Sequence, residues 1–417
     1  MVSKKRVFLR ITVLLVILMQ FCIGSIVVYA KTTPDGFIYQ NMGSVIWISG
    51  YEGNQSDIQI PESIDGKPVT VIAAQSFYNN KVIKSVQIPS SITSIGSQAF
   101  SKCTNLTSIN IPFDITEIKS MTFQGCTSLE YIELPGNIQK IGSLTFSDCT
   151  SLKSISIPVG VTVIEDSSFA SCSRLDTVVI PNSVVTIEKR AFKDCIKLKQ
   201  IDLPNEIVSI GTSSFENCTS LLGIELPENL TKIESRLFYG CTSLVAVDIP
   251  EKVAEIGSYA FYECSQLQAI NIPESVIKIN SMSFYGCANN LTIYGLAESY
   301  VATYATKNKV KFISQQENTG IVLILKAIKS DINQWEIIAI IKGEGEKAAT
   351  NVKVKLNLPD SLELVEGNME VSVGTVKQGE EKQVSWLVKE VLNEKQAYSV
   401  VALAEDSEVL IETKNLP

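Results

Sequence analysis

Among 417 residues there is not one histidine. Serine and cysteine hydrolases usually need an imidazole to activate their nucleophile, so that chemistry lacks its base here. The commonest metal ligand is missing too, and the ten cysteines never take the Cys-x-x-Cys spacing of a zinc site. Paired carboxylates could run glycoside hydrolysis without histidine, but no Asp or Glu pair is marked out, and the acidic residues fall at solvent positions of a repeat. No catalytic, metal or cofactor residue is therefore predicted.

Basic charge is also short. The chain carries 36 Lys and Arg against 44 Asp and Glu, a net charge of −8. Removing Lys4, Lys5, Arg6 and Arg10 with the first thirty residues would take it to −12. Such a chain is a poor match for phosphate backbones, and nucleic acid is excluded as a partner. Beyond Val28 no apolar run could span a bilayer. The four cations precede an uncharged run from Ile11 to Val28, and Val28-Tyr29-Ala30 suits signal peptidase. Residues 1–30 are expected to be a signal peptide, with retention as an N-terminal anchor the competing reading and the one route to a membrane. Cys22 follows Phe21, where a lipobox wants a small residue, and Lys414-Asn415-Leu416-Pro417 shows no sorting motif. The expected location is secreted or at the extracellular surface.

What the chain does have is a period. Cys103, Cys126, Cys149, Cys172, Cys195, Cys218, Cys241, Cys264 and Cys287 stand 23 residues apart. Phe100, Phe123, Phe146, Phe169, Phe192, Phe215, Phe238, Phe261 and Phe284 precede them by three, and prolines recur from Pro89 to Pro273 at the same interval. A unit this short cannot bury its own apolar face, so stacked coils must share a continuous core. In one unit Leu106, Ile109 and Ile111 follow L-x-x-L-x-L, Pro112 ends the strand's hydrogen bonding, and Ile115 and Ile118 return on a second side. Phe123 and Cys126 then close the circuit. The fold class expected is a β-rich leucine-rich repeat solenoid of 23-residue coils, followed by an all-β sandwich.

The cysteines read as a ladder of buried thiols. Equivalent residues of adjacent coils lie about 4.8 Å apart with parallel side chains, wider than the roughly 3.8 Å between Cβ atoms that a disulfide prefers. Free Cys packs as a small hydrophobe.

The units IPSSITSIGSQAFSKCTNLTSI and IPEKVAEIGSYAFYECSQLQAI resemble the BspA-type leucine-rich repeat, and the resemblance covers residues 61–291. VIWISGYEGNQSDIQIPESIDGKPVTVIAAQSF looks like that family's N-terminal lead-in, with Asn80 in place of a cysteine, and LTIYGLAESYVATYATKNKVKF looks like its closing segment. Caps are accordingly expected at 31–60 and 292–313. The resemblance implies binding to host proteins or other cells, with adhesion as the associated activity.

Specificity in a repeat array is written where the coils differ. The outward residue between the inward strand positions reads Asn110, Glu133, Ser156, Val179, Asp202, Glu225, Asp248 and Asn271. The consecutive carboxylates Asp202, Glu225 and Asp248 would repel one another unless a basic partner or Ca²⁺ covered them, the plain alternative being solvation. Tyr239, Tyr262 and Tyr285 follow the last three ladder phenylalanines, where earlier coils hold Ser101, Gln124, Ser147, Ala170, Lys193 and Glu216. Such a row suits recognition of a protein or glycan at a cell surface; packing against the C-terminal cap is the other reading.

Residues 314–319 read as a polar linker, and 320–417 as a separate module. Runs at Ile321 to Ile328, Trp335 to Ile341, Val352 to Leu358, Leu362 to Val365, Met369 to Val376, Gln383 to Val388, Ala397 to Ala404 and Val409 to Thr413 are strand-length, punctuated by Gly345, Asp360 and similar residues. NVKVKLNLPDSLELVEGN and VGTVKQGEEKQVSWLVK look like immunoglobulin-like modules of bacterial exported proteins, with Trp335 and Trp386 as core anchors.

Overall fold

The computed structural model describes residues 30–315, 321–331, 333–343, 348–359, 362–390, 397–403 and 410–415. Residues 1–29 of the expected signal peptide, Cys22 among them, residues 316–319 of the expected linker, Gly345 and Asp360 lie outside the described residues.

The coil from Leu106 to Ser128 has three sides. On the first, Leu106, Ile109 and Ile111 are buried. The carbonyl of Pro112 then accepts the Ile115 N–H at 3.1 Å, closing the corner that proline's fixed φ favours. On the second side Glu117–Ile118 pairs in parallel with Lys140–Ile141, each residue opposite the one 23 further on. The period of the sequence is thus the register of the ladder.

The third side is neither helix nor strand. Met121, Phe123 and Gly125 donate their N–H groups to the next coil, to Ser143, Thr145 and Ser147 at 2.8–3.0 Å, while Thr122, Gln124 and Cys126 donate back within the coil at 3.1–3.3 Å. This alternation needs two left-handed residues per coil, here Met121 and Gly125. In other coils bulky side chains hold that conformation, among them Leu144, Arg190 and Tyr259, all with φ near +60°. Each costs about 1–2 kcal/mol, and the three inter-coil hydrogen bonds of each step hold it in place.

This side carries the two inward ladders. The phenylalanines stack nearly parallel with centroids 4.9–5.8 Å apart, and the stack begins one rung before the cysteines, at Phe77. Each ring is worth about 1.5–3 kcal/mol from burial, and stacked pairs contribute about 0.5–1.5 kcal/mol more. The thiols do more than fill space. Every ladder cysteine donates its S–H to the carbonyl of the phenylalanine 26 residues earlier, as Cys126 Sγ does to Phe100 at 3.2 Å and Cys172 to Phe146 at 3.1 Å. That carbonyl lies off the backbone ladder and also accepts its own coil's cysteine N–H, at 3.1 Å for Phe100 and Cys103. A buried carbonyl has two lone pairs to satisfy, and the thiol fills the second. Burial drives the thiol pKa values well above their usual range, to about 12 for Cys103, Cys149 and Cys287.

Atypical ends close the stack. At the N-terminal end Ala30–Thr32, Phe37–Asn41 and Ile46–Tyr51 form an antiparallel meander, and Ile46–Tyr51 joins Lys67–Ile72 in parallel to start the second-side ladder. Tyr51 and Phe37 extend the ring stack outward over Phe77. At the other end Thr292–Leu296 and Lys311–Gln315 add two parallel strands. The helix Tyr300–Asn308 between them is capped by the Ser299 hydroxyl, which accepts the Ala302 N–H, and it buries Val301 and Ala305 while Tyr304 meets Phe284 edge-on. No described helix is long and apolar enough to cross a membrane.

The C-terminal residues form the expected immunoglobulin-like β-sandwich of two four-stranded antiparallel sheets. One runs Ile321–Asp331, Gln334–Gly343, Glu381–Glu390, Leu362–Glu366; the other Glu370–Val376, Ala349–Asn357, Ala397–Leu403, Leu410–Asn415. Trp335 and Trp386 are buried between the sheets, their indole N–H groups donating to Glu390 Oε1 at 2.8 Å and the Asn368 carbonyl at 2.7 Å. Val401 of this module shares a small apolar cluster with Ala246, Ala269 and Tyr294 of the solenoid.

Eight ladder cysteines are buried and Cys287 is partly exposed. A thiol reagent added to native residues 31–417 is expected to label Cys287 first and the other eight only after denaturation, read by mass spectrometry. Immediate labelling of all nine would contradict the ladder.

Candidate functional site

Because the coils repeat, each surface column consists of equivalent residues, and two columns depart from the repeat enough to make candidate sites. The first is the outward row of the first side. Glu133, Asp202, Glu225 and Asp248 are all exposed. The first-side ladder on which they were expected is interrupted: Ser154–Ser156, Thr177–Val179, Ala246–Asp248 and Ala269–Asn271 are strands, but the stretches holding Glu133, Asp202 and Glu225 are not. All three of these stretches carry Leu before their proline, at Leu134, Leu203 and Leu226, where the paired stretches carry β-branched Ile, the better strand former. Asp202 instead accepts from Gln200 Nε2 at 2.8 Å. Among the described residues no group of three or more Cys, Asp or Glu is arranged to hold a metal ion.

Asp248 has a different setting from its neighbours. It lies at the junction with the sandwich, next to the apolar cluster of Ala246, Ala269, Tyr294 and Val401. Its outer edge keeps contact with water, yet atoms of both modules crowd around it. That loss of solvation, with the carboxylates of Glu412 from the sandwich and Glu225 from the preceding coil, pushes its pKa up to about 7. Glu412 is itself raised, by burial first, against the pull of Lys414.

The second column lies on the third side, just outside the phenylalanine stack. In this column Ser101, Ser147 and Glu216 are buried, whereas Tyr239 and Tyr262 are half-buried and Tyr285 is exposed, and the three tyrosines form a second, external stack. Their rings lie face to face, 4.8 Å apart for the first pair and 5.3 Å for the second. Tyr259 leans against Tyr262 at 59°. Phe284, one residue before Tyr285, is the rung that meets Tyr304 of the cap.

The start of the row carries a charged assembly. Glu216 occupies the same repeat position one coil earlier and is almost fully buried. Its Oε1 accepts from Lys193 Nζ at 2.9 Å and Arg236 Nη2 at 2.8 Å, and its Oε2 from Arg236 Nε at 2.9 Å. Burial alone would raise the Glu216 pKa, but hydrogen bonds from Arg236, Ser213 and Lys193 outweigh it and hold it at about 2. The guanidinium so fixed sits 4.0 Å over the Tyr239 ring, within cation–π range. Lys193, Glu216, Arg236 and the three tyrosines are thus one continuous strip.

Glu216 and Arg236 escaped the sequence reading, as did Tyr78, the same repeat position in the first coil, exposed and with Lys102 Nζ 5.5 Å from its ring centroid. The signal was available: Glu216 precedes Tyr239 in one column, and Arg236 stands two residues before Phe238.

The repeat family can now be stated. The description "BspA type Leucine rich repeat region" matches residues 70–199 and 185–309 in six copies, more than half of the chain. The chain belongs to this family. No curated protein matches it. Of solved structures, a leucine-rich cell surface protein from Faecalibacterium prausnitzii is 27% identical at a TM-score of 0.42, over 66% of this chain and 97% of that one. A leucine-rich repeat protein from Bacteroides ovatus is 24% identical at a TM-score of 0.40, over 70% of this chain and 100% of the other. The T. pallidum leucine-rich repeat protein is 29% identical at 0.32, over 57% and 91%. At such TM-scores the family assignment rests on the repeat match alone. Leucine-rich repeat arrays of this kind are scaffolds on which surface residues are displayed.

A carboxyl group whose pKa rises on folding stabilises the folded arrangement below its unfolded value and loses that contribution as pH climbs through the folded value. For Asp248 the window runs from about 4 to about 7. Asp248→Asn is expected to melt like the parent near pH 4 and increasingly above it toward pH 8, followed by scanning calorimetry. A melting difference independent of pH would contradict the junction carboxylate.

Proposed function

We propose that this chain is an exported, non-catalytic recognition protein, in which the repeat array displays a coil-specific surface to a protein partner at the cell surface. The observation that carries the reading is the external tyrosine row. Inward positions keep the same Phe and Cys from coil to coil, whereas the residue after each phenylalanine changes freely until three tyrosines align. Tyrosine presents rigid, amphipathic area with little rotamer entropy to lose, a property common to protein contact surfaces. Export rests on the cationic and apolar character of residues 1–30. The acidic row of Glu133, Asp202 and Glu225 offers a second contact region, suited to a basic partner. The sandwich serves as spacer or further contact.

A glycan-binding or hydrolytic accessory role is the alternative. The stacking argues against its usual form, because a pyranose ring packs on an open aromatic face and the facing surfaces of Tyr239, Tyr262 and Tyr285 are occupied by one another. Beyond the one outer face of Tyr285, edges and hydroxyl groups remain, which suits a protein surface better.

Residues 31–417 immobilised on a support are expected to retain a partner from cell-surface extracts, and Tyr239→Ser with Tyr262→Ser to reduce that capture by about tenfold, as loss of a contact hot spot does, with the melting temperature of the chain little changed. Undiminished capture, or a chain that loses stability but not binding, would assign the row to packing instead.

A further inference from the structure

The two sheets of the sandwich have unlike outer faces. On the sheet that meets the solenoid the outward residues are polar, among them Lys353, Lys355, Glu370 and Ser372, and the apolar Val401 is covered by Ala246, Ala269 and Tyr294. On the other sheet they are largely apolar. Along Ile321–Asp331 the outward side chains include Val322, Ile324 and Ile328, which are 36%, 38% and 51% exposed. The register sets Ile340 beside Ile324 on the next strand, Ile338 one row further on beside Lys326, and Leu387 across Glu336 from Ile328. None of these apolar side chains belongs to the sandwich core or to the contact with the solenoid. A contiguous apolar face of this kind marks an interaction surface.

The placement of charge on this face selects what covers it. Outward along the inner strand Gln334–Gly343 stand Glu336, Ile338, Ile340 and Lys342, an acid and a base at equal distances from a pair of isoleucines. Such a row is complementary to itself when reversed. A two-fold axis lying in the face, at right angles to the strand and midway between Ile338 and Ile340, sets Glu336 of each copy against Lys342 of the other and each Ile338 against an Ile340. On the neighbouring strand the same axis sets Val322 against Ile328. An axis running along the inner strand would instead oppose Glu336 to Glu336 and Lys342 to Lys342, which like charge disfavours. Glu336 stands between Ile328 and Leu387 and forms no ion pair among the described residues, so the reversed copy supplies its counter-charge. A foreign partner of one sign fits less well, because Lys326, Lys342 and Lys389 are mixed with Glu336 and Glu381 on the three long strands.

We propose that this face of the sandwich pairs with the same face of a second copy of the chain, making the C-terminal module an isologous dimerisation element. Strands about 4.8 Å apart and outward residues about 6.8 Å apart give a face on the order of 500 Å² per copy, about 1,000 Å² in all, at the lower limit of a specific interface. The dimer is accordingly weak, with a Kd on the order of 10–100 µM. Pairing joins two repeat arrays, so that a modest contact made by one array becomes a bivalent one. The inference does not depend on the tyrosine row.

The test is analytical ultracentrifugation of residues 31–417 from about 1 to about 300 µM, a range that brackets the expected Kd. The mass is expected to rise from that of a monomer toward that of a dimer and no further. Glu336→Lys and Lys342→Glu are each expected to weaken the dimer about tenfold, because each opposes like charges at both symmetry-related contacts. The two substitutions together exchange the signs of an intact pair and are expected to restore the dimer to within about twofold of the parent. Ile340→Lys is expected to leave a monomer throughout, and Tyr239→Ser with Tyr262→Ser to change nothing. Melting of each variant, followed by circular dichroism, separates loss of pairing from loss of fold, and rescue by the double exchange occurs only if the two residues meet across the axis. A monomer at every concentration, association beyond a dimer, a dimer indifferent to Ile340→Lys, a double variant no tighter than the single ones, or a dimer lost with the tyrosines would each overturn the proposal.

Discussion

Everything in the solenoid depends on one constraint, that a 23-residue coil cannot satisfy itself. Its apolar residues face a core completed by the coils above and below, and half of the N–H groups on its third side have acceptors only in the next coil. The phenylalanine carbonyls from Phe77 to Phe261 show this most sharply, each taking the thiol of the following coil on its second lone pair. Stability in such an array is a sum of interface contributions between neighbours. The inward residues must therefore be the same in every coil, because each one is packed against its own copy.

The outward residues are free of that condition, and function is written there. Columns on the surface vary until a local grouping appears: carboxylates on the first side, tyrosines on the third. The tyrosine strip is the better-defined of the two. Its rings keep the inter-coil spacing, and a buried carboxylate fixes an arginine over its first face. The acidic row is more loosely built, with Glu133, Asp202 and Glu225 outside the strands and Asp248 drawn into the contact with the sandwich.

The coil was legible in the sequence because its signal repeats nine times; any rung that failed to pack would break the period. The sandwich was legible for a different reason, since alternation of buried and exposed residues in strands such as Gln334–Gly343 is a local pattern. What the sequence did not disclose were interactions between columns. Arg236 and Glu216 are 20 residues apart and belong to different repeat positions, so neither column alone predicts their ion pair. The thiol–carbonyl bond was hidden similarly: spacing shows that a cysteine is buried but not what its S–H meets. Asp248 reads as one more outward acid until the sandwich strand is placed against its coil. The left-handed residues were invisible too, because Leu144 and Tyr259 are not residues that advertise a positive φ.

Deleting one whole period tests the dependence of each coil on its neighbours most directly. Removal of residues 127–149, 23 in all, leaves every ladder in register. Calorimetry of that variant should show a single cooperative solenoid transition within about 5 °C of the parent, as loss of one repeat from an array predicts. Removal of 22 residues, 127–148, shifts Phe and Cys out of line at one interface and should split or abolish the transition. Indistinguishable melting of the two deletions would contradict the account.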